Sequence, residues 1–285
     1  MRVISPAKIN LSLSVGAIRS DGYHDVDSFF QLISLHDVLE INPADTFRFS
    51  SSLNLGISDS DNLVVRAAEA MSEAHGRDLP KLHIHLEKHI PHGAGLGGGS
   101  SNAAAVIFAL SQLWGLAAGD QCSLDVAAKL GSDVPLFLAP TTASIMTGRG
   151  EILKESRAAV EGLLLLIVKP PGAHSPTPAV YQAFDADPQK GHNLDVWHNN
   201  LEKAAIAVSP QTGELLAWLR SQEGVELAQV AGSGSACWAQ VKDIHTLSIL
   251  AEKAKKQGFW AAESASVSRG IYLQSDKVGL GANFL

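Results

Sequence analysis

Cysteine is scarce. Only Cys122 and Cys237 occur in 285 residues, too few for a disulfide framework or a four-cysteine zinc site. Long hydrophobic runs are missing as well. The longest uninterrupted aliphatic stretch runs from Leu163 to Val168, against the roughly 20 residues that a membrane-spanning helix needs. The opening residues, MRVISPAKIN, hold no apolar segment and no small-residue cleavage site, so no signal peptide is expected. These absences predict a soluble, cytoplasmic protein with no membrane partner. Basic residues are also in deficit: 22 Lys and Arg face 29 Asp and Glu, for a formal charge of -7. An acidic chain lacks the electrostatic footprint of a nucleic-acid binder, and no nucleic-acid partner is expected. Internal repeats, heptads and low-complexity tails are absent, and nothing in the sequence fixes an oligomeric state.

What is present is a globular composition. Hydrophobic residues make up 46% and charged residues 18%, which excludes a disordered chain. At roughly 150 residues per domain the length suggests about two domains. Ile9, Leu11, Leu13 and Val15 alternate with polar residues, the pattern of a half-buried strand. Lys8 and Asn10 then project from its other face. Asp21-Gly22 signals a turn, with Tyr23 and His24 directly after it. Asp61 or Asn62 can cap a helix through LVVRAAEAMSEAH. A strand follows over 82–90, with His83 and His85 on one face. No third ligand accompanies these two histidines, so they predict no metal site.

Further helices are expected from about 123 to Gly131, where glycine would take the left-handed position, and over 199–207, 212–221 and 244–257. Strands are expected over 163–168, 225–230, 236–241 and 270–274, and a rigid loop at PPGAHSPTP. This mixture reads as α+β. A polar break at 155–162 divides the chain into domains at 1–155 and 156–285.

The 25 glycines are clustered. From Pro91 the chain reads PHGAGLGGGSSNAA, and five of the seven residues from Gly93 to Gly99 are glycine. Glycine permits positive φ and leaves a ligand room to approach. The loop runs into a helix that Ser100 or Ser101 can cap and whose apolar first turns predict burial. Free N–H groups and the helix dipole favour an anion there. A tight turn with close backbone packing is the plainer alternative, but it seldom needs five glycines. The Lys-Ser or Lys-Thr ending of a P-loop is missing. So is the acidic residue about twenty positions on that a dinucleotide site requires.

The loop resembles the second motif of the GHMP small-molecule kinases, which bind ATP through glycines. SPAKINLSL at 5–13 is similar to their first motif, and VAGSGSACWA at 230–239 to their third. DGYH, DNL at 61–63, GSDVPLFL at 131–138, GRGE at 148–151 and PTP at 176–178 resemble the members that act on a CDP-linked methylerythritol. The matches keep their order from residue 5 to about 240. Asn199-Asn200 departs from the family's Asn-Asp pair, and little aligns after Gly258.

The resemblance implies a two-lobed fold with the active site in the cleft. The domain over 1–155 would bind ATP and that over 156–285 the substrate, with the C-terminal tail able to return to the first. It also implies ATP and Mg²⁺ as cofactors and a small-molecule CDP-linked partner that is phosphorylated on a hydroxyl. Asp133 matches the catalytic aspartate, and Lys8 matches the lysine that would keep it ionised and steady the phosphoryl group. Pro91, His92, Gly93, Ala94, Gly95, Leu96, Gly97, Gly98, Gly99, Ser100 and Ser101 would form the ATP loop, one serine reaching Mg²⁺. Asn62 and Lys88 would lie near the base and the ribose or phosphate. Asn10 would orient the acceptor, and Tyr23, His24, Thr177 and Tyr181 would hold cytidine. Gly232, Ser233 and Gly234 would close over the reacting end. No metal ligands are assigned, and Cys237 is expected to pack. The alternatives are a homoserine or mevalonate kinase of the same class, or a non-catalytic nucleotide-binding protein on this scaffold.

Overall fold

The computed structural model of the chain describes residues 1–191 and 193–274. The first half runs β1 (Arg2–Ile18), β2 (His24–Pro43), β3 (Arg48–Ser51), α1 (Leu63–Ala74), β4 (Leu82–Glu87), α2 (Gly98–Trp114), α3 (Gln121–Leu130), α4 (Val134–Leu138), β5 (Ala143–Thr147) and β6 (Ile152–Ser156). The second half runs β7 (Leu164–Lys169), α5 (Thr177–Ala186), α6 (Glu202–Val208), α7 (Pro210–Ser221), β8 (Val225–Val230), β9 (Cys237–Val241), α8 (Ile244–Lys256), β10 (Trp260–Ala265) and β11 (Tyr272–Leu273). The expected α+β mixture is what forms. Among the described residues no helix is long and apolar enough to cross a membrane.

Two sheets lie face to face, with helices on both outer faces. The first has the order β11-β1-β2-β4-β3, and β5 and β6 branch from β2. The second has the order β10-β7-β9-β8 and is antiparallel throughout. One core joins the first sheet to α1–α4. A second joins the outer face of the second sheet to α5–α8. The third lies between the sheets. β7 shows why its sequence is apolar without a break. Leu165 and Ile167 point into the inter-sheet core, while Leu166 and Val168 point to the helices, so both faces need apolar side chains. The chain crosses from the first sheet to the second between Ser156 and Leu164. It returns when β11 pairs with β1. The rest of the expected tail, 275–285, lies outside the described residues.

Several local expectations hold. Asp21-Gly22 turns β1 into β2: Gly22 adopts φ 83°, and Asp21 Oδ1 accepts from the Tyr23 N–H at 3.1 Å. Asn62 caps α1, its Oδ1 accepting from the Val64 N–H at 2.9 Å. Others need correction. β1 is buried on both faces rather than one, with Lys8, Asn10 and Ser12 at 6%, 8% and 0% exposure. Ile9 and Leu11 face the second sheet; on the polar side the glycine loop covers Lys8, Gly232 lies against Asn10, and Ser12 donates to the Leu194 and Val196 carbonyls. Neither Ser100 nor Ser101 caps α2. It starts at Gly98, with Gly97 in the cap position at φ 70° and no side-chain cap. α3 starts at Gln121, two residues before Ser123, because Asp120 accepts from the Ser123 N–H. Gly131 is extended, at φ 169°, not left-handed. Thr177 and Pro178 open α5 rather than ending a loop.

Candidate active site

The glycine loop is held between the two sheets. The Lys8 N–H donates to the Leu96 carbonyl at 3.0 Å, and the Ala236 N–H to the Ala94 carbonyl at 3.2 Å. The loop passes so close to the turn between β8 and β9 that a Cβ on Gly95 would lie 1.9 Å from the Ala231 carbonyl oxygen. A Cβ on Gly97 would meet Phe137 at 2.8 Å and Lys8 at 3.0 Å. Close packing therefore explains part of the glycine cluster, in addition to ligand access. What remains available is the start of α2. Among the described residues, the N–H groups of Gly98, Gly99 and Ser100 have no hydrogen-bond acceptor. They sit at the positive end of a helix of 17 residues, the local geometry for an anion.

Basic side chains gather beside this loop. Burial holds the His92 imidazole below its ordinary range, and the nearby basic side chains of Lys88, His174 and Lys169 add to the effect. Lys169, itself depressed by burial, donates to the Ala173 carbonyl at 2.7 Å. Beneath the loop lies a buried polar cluster centred on Asp37, which is 0% exposed. Its carboxylate accepts from Lys88 Nζ, from the His89 and Ile90 N–H groups at 2.7 and 2.8 Å, and from Asn102 Nδ2 at 2.9 Å. Ser101 Oγ pairs with Ser5 Oγ at 2.7 Å, and Asn102 Nδ2 also reaches Ser5 Oγ. Burial lowers the Lys88 ammonium, opposed by Asp37. Lys88 and Ser101 thus sit under the loop, whereas Ser100 is half-exposed at its rim. Asn62 is the cap of α1 and is itself buried.

A cavity of ≈ 610 Å³ opens in front of the loop. Lys8, Asn10 and Asp133 line it together with Gly95, Gly97, Gly232 and Ser233. Lys8 Nζ lies 3.7 Å from Asp133 Oδ2 and donates to Asn10 Oδ1 at 2.7 Å. Asn10 Nδ2 donates to Ser28 Oγ at 2.7 Å. Asp133 stands at the N-cap position of α4, yet its side chain makes no capping bond. The carboxylate, 41% exposed, is therefore free to face the cavity. Thr177 Oγ1 and Ser233 Oγ lie 3.0 Å apart, so the first turn of α5 meets the β8–β9 turn.

The far end of the cavity is built by the β1–β2 hairpin and α5. Tyr23, His24, Thr177 and Tyr181 all line it. The His24 ring lies 5.1 Å from that of Tyr181 and 6.1 Å from that of Phe184. Tyr23 is 55% exposed, with the Arg149 guanidinium 4.8 Å over its ring. Burial, aided by the charge of Asp133, pushes the Tyr181 phenol up to about 12, so it stays neutral. Ser132 and Arg149, from the GSDVPLFL and GRGE motifs, also line the cavity, as do Ser28 and Asp185, which the sequence had not singled out. Asp185 had a local signal: it follows Tyr181 by four residues on one helix face.

Other candidates fall elsewhere. Asn199 and Asn200 hold backbone. Asn199 Nδ2 donates to the Val230 and Gly232 carbonyls. Asn200 bonds both polar groups of the Val15 backbone. His83 and His85 share Ser50 Oγ at 2.8 Å each. Cys237 is buried and its thiol is pushed upward by that burial. Among the described residues one group could hold a metal ion, His75, Asp120 and Cys122. It lies where α1 ends and α3 begins, outside the cavity lining.

Residues 62–140 match the model of the GHMP kinases N terminal domain. A homoserine kinase structure from Cytophaga hutchinsonii superposes with a TM-score of 0.67 at 15% identity, covering 95% of this chain and 96% of that one. The fold and the site define a small-molecule kinase of the GHMP class, whose phosphoryl donor is ATP. A 4-diphosphocytidyl-2-C-methyl-D-erythritol kinase from Caulobacter vibrioides is 36% identical over 84% of this chain and 89% of its own length. One from Prochlorococcus marinus is 32% identical over 96% of each. A crystal structure of a 4-(cytidine 5'-diphospho)-2C-methyl-D-erythritol kinase superposes with a TM-score of 0.77 at 32% identity, covering 94% of this chain and 100% of that one. The chain belongs to the 4-diphosphocytidyl-2-C-methyl-D-erythritol kinase family.

Proposed function

We propose that this chain transfers the γ-phosphoryl group of ATP to the 2-hydroxyl of 4-diphosphocytidyl-2-C-methyl-D-erythritol, as a cytoplasmic enzyme of non-mevalonate isoprenoid precursor synthesis. The observation that carries this reading is the position of the Lys8–Asp133 pair, 3.7 Å apart. It lines a single cavity with the glycine loop on one side and the aromatic hairpin end on the other. Free N–H groups at Gly98–Ser100 suit the ATP phosphates, with His92, Gly93 and their neighbours shaping the approach. Lys88 and Ser101 support the loop from below. Tyr23 and Tyr181 offer ring faces to the cytosine, and His24 a hydrogen-bonding edge. Gly232–Gly234 closes over the acceptor, which Asn10 orients.

The acceptor hydroxyl attacks Pγ as the bond from Pγ to the β,γ-bridging oxygen breaks, and ADP departs. Asp133 takes the hydroxyl proton. Lys8 keeps Asp133 ionised and offsets the charge spread over the phosphoryl oxygens. The cavity-lining carboxylates among the described residues are Asp133 and Asp185, and Asp185 is bonded to His24. So sparse a carboxylate set fits Mg²⁺, which keeps most of its waters and rests on nucleotide phosphates. Asp133, or Ser100 at the loop rim, would hold it, and it would neutralise phosphate charge.

Release of ADP from ATP and Mg²⁺ tests the reading, with the CDP-linked methylerythritol, mevalonate and homoserine as competing acceptors. Turnover on the CDP-linked acceptor is expected. Turnover on mevalonate or homoserine alone would replace this reading with another kinase of the class, and turnover on none would leave a nucleotide-binding protein.

A further inference from the structure

His24 is 7% exposed and lines the far end of the cavity. Its Nε2 lies 2.7 Å from Asp185 Oδ1. An ionised carboxylate can only accept, so Nε2 carries the proton in this pair. In the neutral ring the other nitrogen, Nδ1, is then an acceptor. Among the described residues nothing hydrogen-bonds to it. The ring has little freedom to turn, because Tyr181 and Phe184 pack on it from α5. Asp185 comes from the same helix, one turn beyond Tyr181, so one helix face both encloses the ring and fixes its proton.

We propose that Asp185 is a positioning residue for base specificity: it holds His24 with the proton on Nε2, so that Nδ1 accepts from the 4-amino group of cytosine. Uracil carries a 4-oxo group there. Two acceptors would face each other, and a uridine nucleotide would lose the bond and leave a desolvated Nδ1 unpaired. The selectivity thus lies in a tautomer that Asp185 sets through its bond to His24. This proposal rests on the cytidine reading above.

The test combines two measurements on the whole protein. The ¹⁵N shifts of His24 report its tautomer without any ligand. Calorimetric titration with CDP and with UDP reports selectivity. For the wild type, protonated Nε2 and a preference for CDP of roughly tenfold are expected, the size of one hydrogen bond. Asp185→Ala should give mixed tautomers and bring the CDP-to-UDP ratio to within about twofold of one. Asp185→Asn, of the same shape, serves as the second variant and should fall between. A wild-type His24 protonated on Nδ1, a preference for UDP, or an unchanged ratio in Asp185→Ala would each overturn the role of Asp185 while leaving a cytidine site in place. A wild type that binds neither nucleotide overturns the cytidine reading and this proposal together.

Discussion

Asp133 and Lys8 depend on each other, yet they are not equally buried. Lys8 is 7% exposed at its side chain and Asp133 is 41% exposed. The lysine is fixed by Asn10 and the roof of glycine, while the carboxylate keeps access to a ligand. Asp133→Asn keeps the shape and removes the proton acceptor. It should lower kcat by about 10²–10⁴, the usual range for loss of a positioned base, and leave the ATP dissociation constant within twofold. Single-turnover rates and nucleotide titration check both; an unchanged kcat would remove Asp133 from proton transfer. His92 offers a pH readout. Burial and neighbouring cations disfavour its charged form, so its NMR titration midpoint should fall below the ordinary value of about 6.5. A bound triphosphate brings the opposite charge, so ATP should raise that midpoint. A midpoint that ATP does not move would place the phosphates away from His92.

Among the elements, the glycine loop carries the sharpest stability contrast. Gly95 and Gly115 both take positive φ, at 80° and 65°, but only Gly95 faces a backbone oxygen where its Cβ would sit. Gly115→Ala should cost about 1–2 kcal/mol, the strain of the left-handed conformation. Gly95→Ala adds a clash that requires backbone to move and should cost clearly more, with ATP binding lost as the loop shifts. Denaturant unfolding of the two variants compares them, and equal costs would contradict the packing described here. Elements set by local chemistry were legible in the sequence: the Asp21-Gly22 turn, the Asn62 cap and the buried α2. β2 was not. It spans 20 residues, and its alternation breaks at a bulge, where Ala7 pairs with Ile33 but Pro6 with His36. Nor did period two reveal that Lys8 and Asn10 are buried, because the residues that cover them, Leu96 and Gly97 for Lys8 and Gly232 for Asn10, are far away in the sequence. The bond from His24 to Asp185 spans 161 positions and exists only once α5 docks on the hairpin.

For the molecule as a whole, the two sheets divide the work. In the proposed function the first sheet and α2 present the phosphate end. The β1–β2 hairpin reaches across to α5, where Leu13, Val15 and Val26 join the core of the second sheet's helices, and so forms the cavity end proposed for cytidine. The Thr177–Ser233 contact closes the side proposed for the acceptor. Ordered motifs made the class and most residues of the cavity legible, since every motif but DNL at 61–63 contributes a lining residue. Asp37 itself carried no motif, although Ser5, Ser101 and Asn102 of its cluster lie in two of them, and the role of Asp37 follows only from the packing of β2, β4 and α2. The central claim is that donor and acceptor are held by separate parts of the cleft on either side of Asp133. Steady-state kinetics of Tyr181→Ala, with both substrates varied, test it most directly. Loss of a base-stacking ring is worth about 1–3 kcal/mol, so KM for the CDP-linked acceptor should rise roughly tenfold or more while KM for ATP stays within twofold. An equal rise in both KM values would contradict it.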